Sequence, residues 1–280
     1  MSSETSSWCA TGNLASQTAA APAVAREYLS FSAIRTYQAC PLKYYFRYVL
    51  GLPEARVAAS LVFGGAVHAA IEEHFRQRLS GTTPDVESLL ATYRTEWRLR
   101  ADERVEYGQG ETPESLERQA RAMLSVFLGH DAAQPAGRIL GVEETLRAKL
   151  LPGVPEILGR VDLVRETDES LVIADWKTSR SRWAAEQFES AAEQLVLYTQ
   201  LAHEWTVSKP FDIELVVLTK TALPQVQRHV RRVRTSDVTR VAAIVARVWR
   251  AVEAGHFYPA PSTVTCGGCP YRGPCRAWCG

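Results

Sequence analysis

Hydrophobic positions along the chain fall into three regimes. From about residue 32 to 130 they recur at helical spacing; from 138 to 234 they gather into short apolar runs around one long helical pattern; beyond 255 the periodicity is lost. In the first regime a helix is predicted after Tyr28-Leu29-Ser30-Phe31-Ser32, with Ser32 as its N-cap. It runs through Cys40-Pro41 to about Leu50, restarted or kinked at Pro41. A second helix is expected from Gly64-Gly65, carrying Val67, Ile71 and Phe75 on one side, and two more cover about 86–106 and 113–129. In the second regime 138–150, 156–166 and 170–178 read as strands, the last being Leu171-Val172-Ile173-Ala174 ending in Asp175-Trp176-Lys177. A helix at 185–206 brings Leu195, Tyr198, Leu201 and Trp205 near one face, and strands at 211–219 and 225–234 follow. The helix at 236–254 has the clearest amphipathic pattern, with Val241, Ile244, Val245, Val248, Trp249 and Val252 on one stripe. The order is a helical half, then β-β-β-α-β-β-α, then a Pro-, Gly- and Cys-rich tail in which no regular structure is expected.

Composition narrows the classes. A chain of 280 residues with 46% hydrophobic and 22% charged content is long enough for a sizeable core. No apolar run approaches the roughly 18 residues that cross a bilayer. Residues 1–27, rich in Ser, Thr and Ala, lack the basic start and apolar centre of an export signal and read as a disordered tail, so a cytoplasmic location is expected. The net charge of +1 is too small to attract nucleic acid by itself, so any such contact falls to local basic patches and bound metal. There are five lysines, which makes Lys177 in an apolar strand informative. No phosphate-binding loop of the GxxxxGK type and no internal repeat is present.

Asp162, in Gly159-Arg160-Val161-Asp162-Leu163-Val164, and Asp175 both interrupt otherwise apolar strands. Carboxylates buried on neighbouring strands need a cation. Side chains alternate along a strand, so Asp175 and Lys177 share one face; a hairpin of 156–166 with 170–178 would bring Asp162 beside Asp175. Two carboxylates that hold a hard divalent ion, with a lysine to orient water and stabilise developing charge, suit phosphodiester hydrolysis. Asp-x-Lys alone is common as a solvent-facing strand end, and a lone helical histidine such as His68 is usually structural. His68 and Glu72 share one helix face.

The six cysteines are Cys9, Cys40, Cys266, Cys269, Cys275 and Cys279, four of them in the last fifteen residues, a clustering that points to metal. Cys266-x-x-Cys269 and Cys275 supply three thiolates. A zinc site would take Cys279 as the fourth, whereas an iron–sulfur cluster could recruit a distant thiolate.

Taken together, Gly64-x-x-x-His68, Gly159-Arg160-Val161-Asp162, Asp175-Trp176-Lys177-Thr178 and Gln194-x-x-x-Tyr198 occur in the order and spacing of RecB-like PD-(D/E)xK nucleases. Leu29-Ser30-x-Ser32 and Cys40-Pro41-x-x-Tyr44-x-x-Arg47-Tyr48-Val49-Leu50-Gly51-Leu52 resemble that family's N-terminal signature, so the resemblance spans about 28–276. Val161 stands where the family name has Pro, and Asp175 where Glu is commoner. The resemblance implies an α/β, restriction-endonuclease-like core, a central mixed sheet flanked by helices. Within one domain over 28–280 it places a helical part at 28–130, the nuclease core at 138–254, and a tail at 255–280 that closes onto Cys40.

It also implies that His68, Asp162, Asp175 and the Trp176 carbonyl bind Mg²⁺ or Mn²⁺, that Lys177 is the catalytic lysine, and that Gln194 and Tyr198 shape the site and contact DNA, with Glu72 supporting His68 or a second metal. Members of the AddB and CRISPR-associated types place one cysteine before the core and three after it. By that resemblance Cys40, Cys266, Cys269 and Cys275 hold a 4Fe–4S cluster, leaving Cys279 as the zinc-site competitor and Cys9 free. The expected activity is a metal-dependent deoxyribonuclease, an exonuclease on single strands or ends, in DNA repair, recombination or processing, alone or docked to a helicase or repair complex. The alternative is a non-catalytic iron–sulfur or zinc DNA-binding module of a helicase–nuclease complex. Candidate phosphate contacts are Arg94, Arg98, Arg100, Arg228, Arg231, Arg232 and Arg234. Tyr44, Tyr45 and Tyr48, interleaved with Lys43 and Arg47, are candidates for base stacking or for packing around the cluster.

Overall fold

The computed structural model describes residues 26–101, 104–206 and 208–278; most of the expected tail, together with Cys9 and Cys279, lies outside them. The first element is a strand, β1 (Tyr28–Ser30), which pairs in parallel with the later strand β5 (Glu156–Glu166). That pairing moves the start of helix α1 to Phe31–Ala39, and Ser30, not Ser32, is its N-cap, its Oγ accepting from Ala33 N at 3.3 Å. Pro41 restarts the chain as α2 (Pro41–Tyr44), as the missing N–H requires, and a π-helical turn carries it through Tyr45–Val49.

Helix α3 (Ala59–Leu79) begins one and a half turns before the expected glycine start. Gly64 and Gly65 lie inside it for a packing reason: a Cβ on Gly64 would sit 3.3 Å from Thr178 Oγ1, so the missing side chain lets α3 approach the sheet. The pattern read as one helix over 86–106 divides into α4 (Val86–Arg100) and a short strand β3 (Val105–Glu106), which pairs with β2 (Val57–Ala58). Strands of two residues each carry no periodicity of their own. Helix α5 (Pro113–Leu128) opens on a Thr112–Ser115 capping box with Pro113 at its first turn.

The sheet then forms from β4 (Arg138–Ala148), β5, β6 (Leu171–Ser179), β7 (Phe211–Thr219) and β8 (Val226–Arg232), in the order β1-β5-β6-β7-β8 with β4 also paired to β5. The β5–β6 and β7–β8 pairs are antiparallel, whereas β6–β7 is parallel and is joined through helix α6 (Ala185–Leu201). The expected helix over 185–206 thus ends early, and Trp205 falls in a separate turn, His203–Trp205. Helix α7 (Thr235–Glu253) follows its predicted stripe, with Val241, Val245, Val248, Trp249 and Val252 buried. The tail is more regular than expected: α8 (Thr263–Gly267) is capped by Ser262, and α9 (Arg272–Ala277) follows.

Two apolar layers sandwich the sheet. One gathers α1, α6 and α7; the other gathers α3, α4 and α5, where Trp176 stacks on Phe75 at 5.2 Å and meets Phe127 edge-on at 5.9 Å. Within the sheet, Arg165 and Glu214 form a buried pair at 2.5 Å, extended by Arg228 Nε to Glu214 Oε1 at 2.7 Å. Substituting Glu214→Ala would strand Arg165 without its counter-charge. The expected loss is about 3–5 kcal/mol of stability in denaturant unfolding, and a loss under 1 kcal/mol would count against this pairing.

Candidate active site

Strand β5 builds the site. One edge pairs with β4 along nearly its whole length; the other is bound by β1 at Glu156–Leu158 and by β6 at Leu163–Glu166. Among the described residues, Gly159 to Asp162 have no ladder partner on that second edge, so the sheet is open there. A Cβ on Gly159 would fall 2.6 Å from the Tyr198 ring, so this glycine admits α6 into the opening. Where the β5–β6 ladder stops, the free Trp176 N–H donates to Asp162 Oδ2 at 2.8 Å.

The side chains singled out by the sequence converge here. His68 Nδ1, on α3, lies 3.4 Å from Asp162 Oδ2, and its ring also hydrogen-bonds the Trp176 backbone. Lys177 Nζ sits 2.6 Å from Asp175 Oδ2 and donates to Gln194 Oε1 at 3.3 Å; Gln194 Nε2 donates in turn to Tyr198 Oη at 3.0 Å. Helix α6 therefore holds the lysine through an i, i+4 pair. Asp175 Oδ2 is buried and takes the Lys177 ammonium as its partner. His68, Asp162 and Lys177 line a cleft of about 680 Å³.

The electrostatics follow from crowding. Burial, and then the Asp175 charge, push the Asp162 carboxyl well above its usual range, although Lys177 and the Trp176 N–H oppose them. Burial holds His68 below the usual imidazole range against the pull of Asp175. Burial also pulls on Lys177, but the Asp175 and Asp162 carboxylates outweigh it and keep the ammonium charged. The Tyr198 hydroxyl is raised by burial.

One residue escaped the sequence reading. Glu143 on β4 stands across from Asp162, between the register pairs Val142↔Leu163 and Glu144↔Val161. Among the described residues, one trio has ligand atoms all within 4.8 Å of one another: His68, Glu143 and Asp162. Glu143 also adopts φ 57°, a conformation that costs a non-glycine residue about 1–3 kcal/mol. In the sequence, Glu143 and Glu144 look alike, and only the pairing of β4 with β5 selects one of them. Glu72 lines the same cleft, yet its ion pairs are to Arg76 at 2.5 Å and Arg160 at 3.7 Å.

The candidate phosphate contacts fare less well. Arg94 is bound to Glu117, Arg228 to Glu214 and Asp131, Arg231 to Asp237 and Glu189, and Arg232 to Asp212. Each of these side chains has an acidic partner and lies outside the cleft lining, and Arg98 turns back onto the Arg94 carbonyl. Arg234 is the N-cap of α7, where its backbone N–H donates to Asp237. Arg100, although paired with Glu96, does line the cleft, together with Arg180 and Lys220. Tyr44 is fully buried among Tyr37, Tyr48 and Phe257 and cannot stack on a base.

A second cavity, of about 420 Å³, is lined by Cys40, Cys266, Cys269 and Cys275. Burial, followed by the Cys40, Cys269 and Cys266 thiols, raises the Cys275 thiol. No three of the four sulfurs close to within 4.8 Å of one another. The surrounding chain is tied across the molecule, as Leu42 N donates to the Tyr258 carbonyl and Tyr271 Oη to the Leu52 carbonyl; within the tail, Ser262 N donates to Cys266 Sγ at 3.4 Å.

A mixed sheet between helical layers, with Asp162 and Asp175-x-Lys177 turned into one cleft, defines a restriction-endonuclease-like nuclease fold. The chain belongs to the PD-(D/E)XK nuclease superfamily, whose family model matches residues 28–276. Among solved structures it is similar to an Eubacterium rectale protein described as a "Putative exonuclease", at 15% identity and TM-score 0.57 over 90% of this chain and 88% of that one; the likeness is one of fold. A second structure, SSO0001, aligns over 85% of this chain and 94% of that one at 16% identity, and its TM-score of 0.37 carries no weight. No curated protein matches the chain in sequence.

Because the folded state raises the Asp162 pKa, it favours the protonated carboxyl. The penalty is absent below the ordinary carboxylate range and complete above the raised pKa, so it grows as pH rises between them. Asp162→Asn keeps an acceptor for Trp176 N–H and removes that penalty. Metal-free Asp162→Asn should gain about 1 kcal/mol at neutral pH, with a flatter pH–stability curve than wild type. A destabilised variant in thermal melts across pH 4–8 would contradict this.

Proposed function

We propose that this chain is a Mg²⁺- or Mn²⁺-dependent deoxyribonuclease, an exonuclease acting on single strands or ends in DNA repair, recombination or processing. The observation that carries the reading is the convergence of His68, Asp162 and the Asp175–Lys177 pair on one cleft. The donor set fits a hard divalent ion: buried carboxylate oxygens and an imidazole whose pKa burial lowers, with the His68 and Asp162 ligand atoms within 4.8 Å of each other. His68, Asp162, Asp175 and the Trp176 carbonyl would hold it. Bound there, the ion supplies a nucleophile at neutral pH and offsets charge on the phosphate.

The chain's own groups do the rest. Lys177, charged and steered by Gln194, points an ammonium at the non-bridging oxygens and stabilises charge as the P–O bond breaks. Tyr198 fixes Gln194, and the α6 backbone keeps both against β5. Arg100, Arg180 and Lys220 line the cleft as cations for the DNA backbone. On end-labelled DNA with Mn²⁺ or Mg²⁺, Lys177→Ala should lose about a hundredfold or more in rate with the fold intact. An active Lys177→Ala enzyme, or wild type that cleaves equally in excess chelator, would defeat the reading.

The proposal extends to a single domain over 28–280 closed by a 4Fe–4S cluster on Cys40, Cys266, Cys269 and Cys275. Cys40, Cys266, Cys269 and Cys275 line one cavity, which brings one thiol from before the core together with three from after it. The cluster would fasten α2 to the tail across more than two hundred residues, so its binding energy is also folding energy. Anaerobically purified protein should be coloured and contain iron, and Cys266→Ser should lose colour and melt at lower temperature. Colourless, zinc-loaded and fully folded wild type would overturn the cluster.

A further inference from the structure

Strand alternation places Arg160 and Asp162 on one face of β5, and Glu143 reaches the same place from β4. The Arg160 guanidinium Nε pairs with Glu143 Oε2, and its Nη2 lies 3.7 Å from Glu72 Oε2. The two partners are unequal. The Glu143 side chain is 8% exposed, whereas that of Arg160 is 59% exposed and free to swing outward. Glu143 therefore points into the site, with its carboxylate beside His68 and Asp162, and its counter-ion is an exposed surface arginine. Nearby, the buried Asp175 carboxylate is held by the Lys177 ammonium at 2.6 Å, so the Glu143 carboxylate is the one in this group whose counter-ion is exposed.

We infer that Glu143 is an additional ligand of the divalent cation and that Arg160 is its latch in the metal-free protein, holding the carboxylate until the ion displaces the guanidinium. This rests on the nuclease reading above and adds a residue to it. Occupancy by metal is then competitive with the Glu143–Arg160 pair. Once released, Arg160 stands at the cleft with its charge available to a phosphate. A merely structural Glu143–Arg160 ion pair makes a different claim, because losing either partner would then act on stability in one direction and leave metal affinity alone.

The two roles predict opposite signs. Mn²⁺ affinity, measured by titration calorimetry and by the loss of the free-ion Mn²⁺ resonance signal in the absence of DNA, should fall about tenfold or more in Glu143→Gln. It should rise about two- to fivefold in Arg160→Gln, as removal of an exposed ion pair allows. In the double variant the Arg160→Gln gain should vanish, since its target carboxylate is gone. Folding is checked by far-UV circular dichroism, and Glu143→Asp, which keeps the charge, provides a second test if Glu143→Gln fails to fold: it should retain more affinity than Glu143→Ala. Unchanged affinity in Glu143→Gln, or weakened affinity in Arg160→Gln, would overturn the latch. Wild type that binds no Mn²⁺ would instead sink the metal-dependent reading itself.

Discussion

The structure turns on the crowding of carboxylates at one end of the sheet. Asp162 and Asp175 come from neighbouring strands, Glu143 from a third, and within the folded chain Lys177 is paired with Asp175 and Arg160 with Glu143. Burial and the neighbouring Asp175 charge drive the Asp162 carboxyl upward, and burial lowers the His68 imidazole. A hard cation bound among these groups would relieve the same crowding.

The remainder of the molecule keeps that cluster in place. The sheet could have closed over it, but β1 and β6 share one edge of β5 and leave Gly159 to Asp162 open between them. Two glycines then admit helices from opposite layers: Gly64 brings α3, and so His68, toward β6, and Gly159 accepts the Tyr198 ring from α6. The parallel β6–β7 step requires a crossover helix, and that helix is the one that carries Gln194 and Tyr198 over Lys177. On the far face, Trp176 anchors the same strand by stacking on Phe75. Topology and chemistry are coupled through β6: its odd positions near the end reach the cleft, and Trp176 between them fills the core.

The basic residues divide by the same logic. Arg165 and Arg228 neutralise Glu214 inside the sheet, and Arg231 and Arg232 tie β8 to α7 and β7, so they stabilise the scaffold. Arg100, Arg180 and Lys220 line the cleft, where a phosphate backbone would pass. Around a separate cavity Cys40 meets Cys266, Cys269 and Cys275, and Tyr44 packs among Tyr37, Tyr48 and Phe257.

The sequence by itself determined the element order, the amphipathic stripe of α7, and the members of the site whose spacing is local. Asp175 and Lys177 share a face because a strand alternates; Gln194 and Tyr198 share one because a helix repeats. The ordered motifs extended this to His68 and Asp162, and the structure brings both together. Short elements were illegible for want of a period: β1 is defined by its pairing with β5, β2 and β3 by their pairing with each other, and the tail helices are five and six residues long. The ion pairs of the arginines were not legible, because sequence says nothing of a partner such as Glu117 or Asp212 far along the chain. Tertiary structure alone decided for Glu143 over Glu144, since a strand offers its residues to alternate faces and only register with β5 states which face holds the site.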